Sequence, residues 1–534
     1  MRGMLLSLAL LVASGAAHAQ IVIVHFKDEK AAKRYKKVAV ESGDELIVIG
    51  EPIEGGGIRV DGTKINYTGG GPNELFLFNQ NDPSDVPYKL KNGEKKLVRK
   101  KAKVSIAGQD IERFRFFSVS EDIHSLSVEY GFREGRLEEL IAARKAHKKG
   151  SPEWFTAHEP LMLEYERLHS WLREVGFFGA AEKLLKTIKK EGKTAKGSAA
   201  AARRKTAEES VELVDTPDEL AEKASGVSGS PTFLTYHSQH CRFYFPEGRW
   251  TEVEMEDAVT FAETVIDGFR VEFVDPYVSE DFKSRVPLGE QFIEFFFAPD
   301  ANYVELFEGY FGKRFSDERS KEMGGSNFTR GRLAGDAPQS VRYIRAREGV
   351  DLASTVTYHL GDVLASLHFN GAHGGTPQPW IEQGVSYYLS FEYCGRNTWT
   401  SVDFTKGAYA KGARREGEKT VQLGLRAMFN EMAMIDGSRF DKLTLMSVAE
   451  MEDADFAKSW SFFDFVAKEL GKEGQQWLRS ACIHAKKKQT FHAKWRPESE
   501  ALFDMEGKDV LRELEERWKA YAEGQQDISE DGRK

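Results

Sequence analysis

Residues 355–364 read TVTYHLGDVL, and residues 377–388, shortly after them, read PQPWIEQGVSYY. The first stretch lies in a predicted helix, because apolar residues recur at helical spacing on both sides of it and within it. This apolar stripe consists of Leu352, Val356, Leu360, Val363 and Leu367. At about 100° per residue, Tyr358 and Asp362 fall on the opposite face, one turn apart, and His359 falls on the flank. The second stretch begins with prolines, which is typical of a helix start.

The two stretches together resemble the zinc-binding motifs of the gluzincin metallopeptidases. In that family a His-Glu-x-x-His helix supplies two zinc ligands and a water-activating glutamate, and a following helix supplies a third ligand, a glutamate. At the matching positions this chain has Tyr358 and Asp362 for the two histidines, His359 for the glutamate and Gln383 for the third ligand. Glu382 stands one place before that third position. Gln383 follows Asp362 by 21 residues, close to the family's interval of about twenty.

A second alignment of the motif places His359 as the first ligand, Leu360 at the glutamate and Val363 as the second ligand. Val363 belongs to the apolar stripe, whereas zinc ligands should face the cleft rather than the core. The first alignment is therefore the better one. It implies a former active-site cleft lined by Tyr358, His359, Asp362 and Gln383.

The substitutions remove the groups that zinc peptidase chemistry needs, which are three good ligands, an open fourth position and a carboxylate base. A tyrosine phenol titrates near 10 and is a poor ligand at neutral pH, and the amide of Gln383 is neutral. We therefore expect a catalytically inactive, gluzincin-like binding or structural module without a cofactor or a metal. The expected partner is a peptide or protein ligand in the former cleft, and the candidate contacts are His359, Asp362, Glu382 and Tyr387.

Two alternative functions stay open on the sequence alone. An exported metal-dependent peptidase or hydrolase with atypical ligands would hold zinc with His359, Asp362 and Glu382. A structural envelope protein would bind no ligand at all. Nucleophilic serine and dinucleotide-binding motifs are absent from the sequence.

The rest of the chain predicts an α+β protein of several parts. Runs of strand-forming residues separated by glycine clusters come first, and helical periodicity follows. In the last and largest part the resemblance implies a mixed sheet and a helical lobe, with residues 341–344 (VRYI) as the strand that leads into the motif helix. The predicted parts are a small β-rich domain (20–118), a helical domain (119–190), a linker (191–228), a gluzincin-like domain (229–525) and a polar tail (526–534).

The N-terminus has the three-part order of a secretory signal peptide covering residues 1–19. Arg2 gives the positive start, an apolar run follows, and residues 17–19 (AHA) form a small-x-small cleavage site. Cleavage after Ala19 predicts a secreted or periplasmic protein. The apolar run is shorter than the roughly 20 residues that span a membrane, and we expect no transmembrane segment elsewhere.

Charge and cysteine content limit the function further. The net charge of −9, which becomes −10 when Arg2 leaves with the signal, argues against nucleic acid as a partner. The three cysteines are Cys241, Cys394 and Cys482. An odd number cannot pair fully within one chain, so their pairing stays open, and we expect them to be mostly buried, small apolar residues.

Overall fold

The structure is a computed structural model, which describes only part of the chain. Up to residue 118 it describes strands alone. From there the described residues are 123–174, 178–194, 212–213, 219–226, 230–250, 252–277, 284, 286, 293–310, 325–330, 339–346, 352–370, 378–395, 413–416, 419–422, 425–485, 491–506 and 509–526. The predicted signal peptide (1–19), most of the predicted linker and residues 527–534 of the predicted tail lie outside the described residues.

The N-terminal part contains short strands, as predicted. Those described are β1 (Gln20–Phe26), β2 (Glu45–Pro52), β3 (Ile58–Val60), β4 (Thr63–Ile65), β5 (Pro72–Phe76), β6 (Tyr88–Lys91), β7 (Glu94–Leu97) and β8 (Ile111–Ser118). Six of them form one sheet in the order β4-β3-β5-β2-β1-β8, and β6 pairs with β7. Strand β1 is antiparallel to both β2 and β8, so the first strand of the predicted mature chain lies inside this sheet.

Helices follow these strands, again as predicted. They are α1 (Ile123–Lys145), α2 (Pro152–Glu174) and α3 (Phe178–Thr194). Helix α2 starts at the predicted proline, and the Trp154 N–H donates to Ser151 Oγ at 3.2 Å, which caps an otherwise unpaired donor. Leu161 and Leu168, at heptad spacing along α2, are buried, so this helix turns an apolar face to its neighbours.

The larger sheet forms the centre of the C-terminal part. Its strands are β9 (Glu212–Leu213), β10 (Phe233–His237), β11 (Cys241–Pro246), β12 (Ile293–Pro299), β13 (Gly325–Arg330) and β14 (Gln339–Ala346), in the order β13-β14-β12-β11-β10-β9. Strands β11, β12 and β14 are parallel, and β13 and β10 run antiparallel to their neighbours. Strand β9 and helix α4 (Glu219–Ser225) lie within the stretch interpreted as a linker.

Apolar side chains cover both faces of this sheet, because successive residues of a strand point to opposite sides. In β12, Phe295 and Phe297 join the core that includes helix α5 (Glu252–Phe269), whereas Phe296 joins a second core on the other face. That second core contains Ala221 of α4. The mixed sheet covered by helices confirms the α+β class.

A helical lobe completes the C-terminal part. Its helices are α6 (Leu352–Ala365), α7 (Pro379–Cys394), α8 (Leu425–Ile435), α9 (Phe440–Leu443), α10 (Asp453–Phe465), α11 (Gly471–His484), α12 (Phe491–Leu502) and α13 (Val510–Gln526), and a small ribbon joins β15 (Ala413–Glu416) to β16 (Lys419–Gln422). Buried aromatic rings hold the lobe together. Phe440 stacks on Phe462 with ring centroids 4.0 Å apart, and Trp477 stacks on Trp495 at 4.9 Å. Such pairs stabilise a core beyond their buried area.

No helix in the described part of the chain is both long and apolar enough to span a bilayer. All three cysteines are buried thiols, which confirms the prediction that they are buried.

Helices α6 and α7 cross at very close range. A Cβ atom added to Gly361 of α6 would lie 2.4 Å from the Cα atom and 2.8 Å from the backbone nitrogen of Ser386 in α7. On its other side α7 meets α10, where a Cβ on Gly384 would lie 2.7 Å from the carbonyl oxygen of Ser459. Missing side chains therefore let α7 fit between its two neighbours.

A buried charge cluster anchors the C-terminal end of α7. The carboxylate of Glu392 contacts Arg136 of α1 and Arg426 of α8, each at 3.0 Å. Arg133 of α1 donates to the carbonyl oxygens of Phe391 and Glu392 at 2.7 and 2.9 Å. Burial alone raises the pKa of the Glu392 carboxyl, but Arg136, Arg426 and other nearby cations outweigh it and hold that pKa well below its usual range. The cluster joins the helical segment to the C-terminal part.

Replacing Gly361 with alanine should destabilise the protein by about 1–3 kcal/mol, because the new methyl group meets backbone atoms that a side-chain rotation cannot move. Chemical denaturation measures the change. The same substitution at Gly135, a helical position in α1 with open space around it, should be neutral or stabilising by up to about 1 kcal/mol. Equal stability of the Gly361→Ala variant and the wild type would show that the helices are not this close.

Replacing Glu392 with glutamine should cost about 3–5 kcal/mol at neutral pH, because it removes one negative charge from a buried cluster in which Glu164 and Glu129 then remain as the partners of Arg136 and Arg426. The folded-state pKa of Glu392 lies below its ordinary value of 4.5, so the unfolded chain binds more protons in acid. The wild type therefore loses this contribution as the pH falls below about 4.5, and the gap between the two proteins should narrow.

Denaturant titrations at pH 7 and pH 4 compare the two free energies of unfolding. The matched control is Glu516→Gln, which removes an exposed partner of Lys519 and should change stability by less than about 0.5 kcal/mol. A gap between Glu392→Gln and wild type that stays constant with pH would contradict the prediction.

Candidate functional site

Helices α6 and α7 bring together two of the positions that resemble metal ligands. The phenol of Tyr358 donates a hydrogen bond to Gln383 Oε1 at 2.7 Å. Both residues are buried, with 5% and 4% of their surface exposed. Burial, and then the nearby carboxylate of Asp362, raises the pKa of the Tyr358 phenol, so it stays protonated. The residues at the first and third ligand positions, Tyr358 and Gln383, are therefore hydrogen-bonded to each other.

The second ligand position is held by an ion pair. Asp362 Oδ2 lies 2.6 Å from Arg342 Nη1, and the exposed fractions of the two side chains are 15% and 5%. Arg342 belongs to β14, where Ile344 and Ala346 face the core that contains α6. Residue 342 has the same parity and so points the same way, which brings its guanidinium to the motif helix.

Glu382 lies beside Asp362. Burial is the main reason that the pKa of the Glu382 carboxyl is raised well above its usual range, and the charge of Asp362 adds to it. The raised pKa favours the protonated form of the Glu382 carboxyl, and hydrogen bonding to Asp362 would act in the same direction. The charge of Arg342 opposes this shift, since it lowers the pKa of Glu382.

His359 is buried next to the Tyr358 ring, which it meets edge-on with centroids 5.2 Å apart. Burial, assisted by the charge of Arg342, lowers the pKa of His359 to about 3. An imidazole with that pKa is neutral at pH 7 and is a weak base, since a useful general base has a pKa near the working pH.

Tyr387 lies in the aromatic core and has 1% of its surface exposed. Its ring meets Tyr358 edge-on and packs beside Phe391 and Phe429. Of the residues predicted to line a cleft, the structure brings Tyr358, His359, Asp362, Glu382 and Gln383 together, and it covers most of them with packed side chains.

The residues present do not fit a zinc ion. In the set predicted for a metal, Asp362 is already paired with the buried guanidinium of Arg342, and the raised pKa of Glu382 disfavours the ionised form that would bind a cation. The positive charge of Arg342 would also repel a divalent ion at this position. Among the described residues no group of three or more histidine, cysteine, aspartate or glutamate side chains is arranged to hold a metal.

Arg342 is the member of the site that sequence reasoning missed. The signal that could have found it is a charged residue within the predicted strand 341–344, between apolar neighbours. On a strand covered on both faces, such a residue must point toward a core and needs a counter-charge there. The pattern does not say which carboxylate provides it.

Comparisons with known proteins give no relative on which to base an assignment: no family model matches the chain, and no curated protein or solved structure is significantly similar to it.

Proposed function

We propose that this chain is an exported, catalytically inactive, gluzincin-like protein that acts as a structural or binding module. The proposal rests on one observation: the side chains at the positions that resemble zinc ligands are already paired with other side chains of the protein. Tyr358 is bonded to Gln383, and Asp362 is paired with Arg342. The proposed family rests on the two sequence motifs, and the proposed export rests on the N-terminal signal pattern.

Hydrolysis by a metal-activated water requires a bound cation with an open position and a base that accepts a proton near neutral pH. Arg342 offers a positive charge, but a guanidinium does not lower the pKa of a water as a zinc ion does. His359, at the position of the catalytic glutamate, is a neutral and buried imidazole with a lowered pKa. The site thus lacks the groups for the peptidase alternative.

A stabilising role agrees with how this site is built. Tyr358, His359 and Gln383 are almost fully buried, so they contribute to packing between α6 and α7. The more exposed part is the Asp362 side chain, at 15%. For a peptide or protein ligand in the former cleft, we propose that the ligand presents a hydrogen-bond donor to the Asp362–Glu382 carboxyl pair.

Elemental analysis tests the proposal directly. Purified full-length protein, incubated with one equivalent of zinc and passed through a desalting column, should retain less than about 0.1 zinc per chain, because its donor groups are already engaged. Peptide-library and casein assays should show no hydrolysis that a chelator abolishes.

One tightly held zinc per chain together with chelator-sensitive hydrolysis would contradict the proposal. Asp362→Asn is the control for contamination, since activity that belongs to this site must fall in that variant. Hydrolysis that persists unchanged in Asp362→Asn comes from another protein in the preparation.

A further inference from the structure

We infer that Arg342 is the resident cation of this site, and that the space left by removing its side chain is a receptor for small guanidinium-type cations. The inference rests on the proposed function, because it identifies the group that stands where a metallopeptidase would hold an exchangeable ion. It goes further in two ways. It assigns the positive charge of the site to the Arg342 side chain, and it names planar cations as the class of molecule that can replace that side chain.

The sheet holds Arg342 in a fixed place. Its backbone is in register with Phe295 of β12 on one side and Asn327 of β13 on the other, so strand pairing limits its movement on both sides. Its side chain emerges on the face that α6 covers. The guanidinium therefore projects from a strand inside the sheet rather than from a loop.

The charges around Arg342 explain why a cation is needed there. Asp362 lies 2.6 Å from the guanidinium, and the charge of Asp362 helps to raise the pKa of the neighbouring Glu382. Two carboxyl groups close together in a buried site disfavour each other's ionised form, and a fixed cation relieves this. Arg342 acts electrostatically on Tyr358, His359 and Glu382 as well, lowering the pKa of each of the three groups.

Hydrogen bonding alone does not account for the position of the guanidinium. Arg342 Nε is buried, and the described residues provide no acceptor for it. An arginine held by a complete fork of hydrogen bonds would have that nitrogen paired. The ion pair with Asp362 and the buried position of the planar group therefore together hold the guanidinium, and a small planar cation can reproduce both.

The test is chemical rescue of the full-length Arg342→Ala variant, followed by thermal unfolding. The variant should melt below the wild type. Methylguanidinium at about 10 mM should raise its Tm by several degrees through binding to the folded state, while leaving the wild type unchanged. Methylammonium, which has the charge but not the planar shape, should raise it less.

Two matched variants make the rescue specific. Arg345 lies on the same strand but faces the opposite side, with its guanidinium 5.5 Å from the ring centre of Tyr303, so Arg345→Ala should show no rescue. Adding Asp362→Asn to Arg342→Ala should abolish the response. An unresponsive Arg342→Ala variant, or an equal response in Arg345→Ala, would overturn the inference.

If Arg342→Ala does not fold, the charge pairing is tested by Arg342→Met alone and combined with Asp362→Asn. The double variant should be more stable than Arg342→Met, because it removes the unpaired buried carboxylate. A double variant no more stable than the single one would show that Arg342 acts through packing and would overturn the inference. Zinc binding together with chelator-sensitive hydrolysis by the wild type contradicts the proposed function instead, so the two failures are distinguishable.

Discussion

The contact between Gly361 and Ser386 is the constraint on which the site depends. Two helix backbones can approach this closely only where one of them has no side chain, and a methyl group at position 361 would overlap backbone atoms of α7. One turn before this contact Tyr358 reaches Gln383, and beside it Asp362 meets Glu382. Because α6 and α7 cross so closely, their polar side chains pair with each other. The close crossing also leaves little room between the two helices.

The sequence predicted much of this arrangement from local pattern. The apolar stripe on α6 placed Tyr358 and Asp362 on one face, and the resemblance to the zinc-binding motifs implied that Gln383 joins them. Most predicted strands and helices are present, because their periodicity is strong. Burial of that face was not predictable, since a polar face reads as solvent-exposed until α7 and β14 are known to cover it. Arg342 was missed because its partner, Asp362, belongs to a different element, and local sequence pattern does not show which elements pack together.

The two charged groups in the C-terminal part solve a similar physical problem in different ways. Glu392 is surrounded by several arginines, and its carboxylate stays ionised despite burial. Asp362 has one arginine, and burial together with the charge of Asp362 raises the pKa of its neighbour Glu382. A buried charge must find a counter-charge or be neutralised, and the number of cations within reach decides which outcome each carboxyl group adopts.

The cluster at Glu392 also determines how the chain can be divided. Arg133 and Arg136 come from α1, and Arg167 of α2 lies 3.8 Å from the same carboxylate. A truncated protein that begins at the larger sheet would lose all three arginines and open the C-terminal end of α7 to water. The C-terminal part therefore depends on helices α1 and α2 for its buried charges. A shortened protein should begin before α1 to give soluble, folded material.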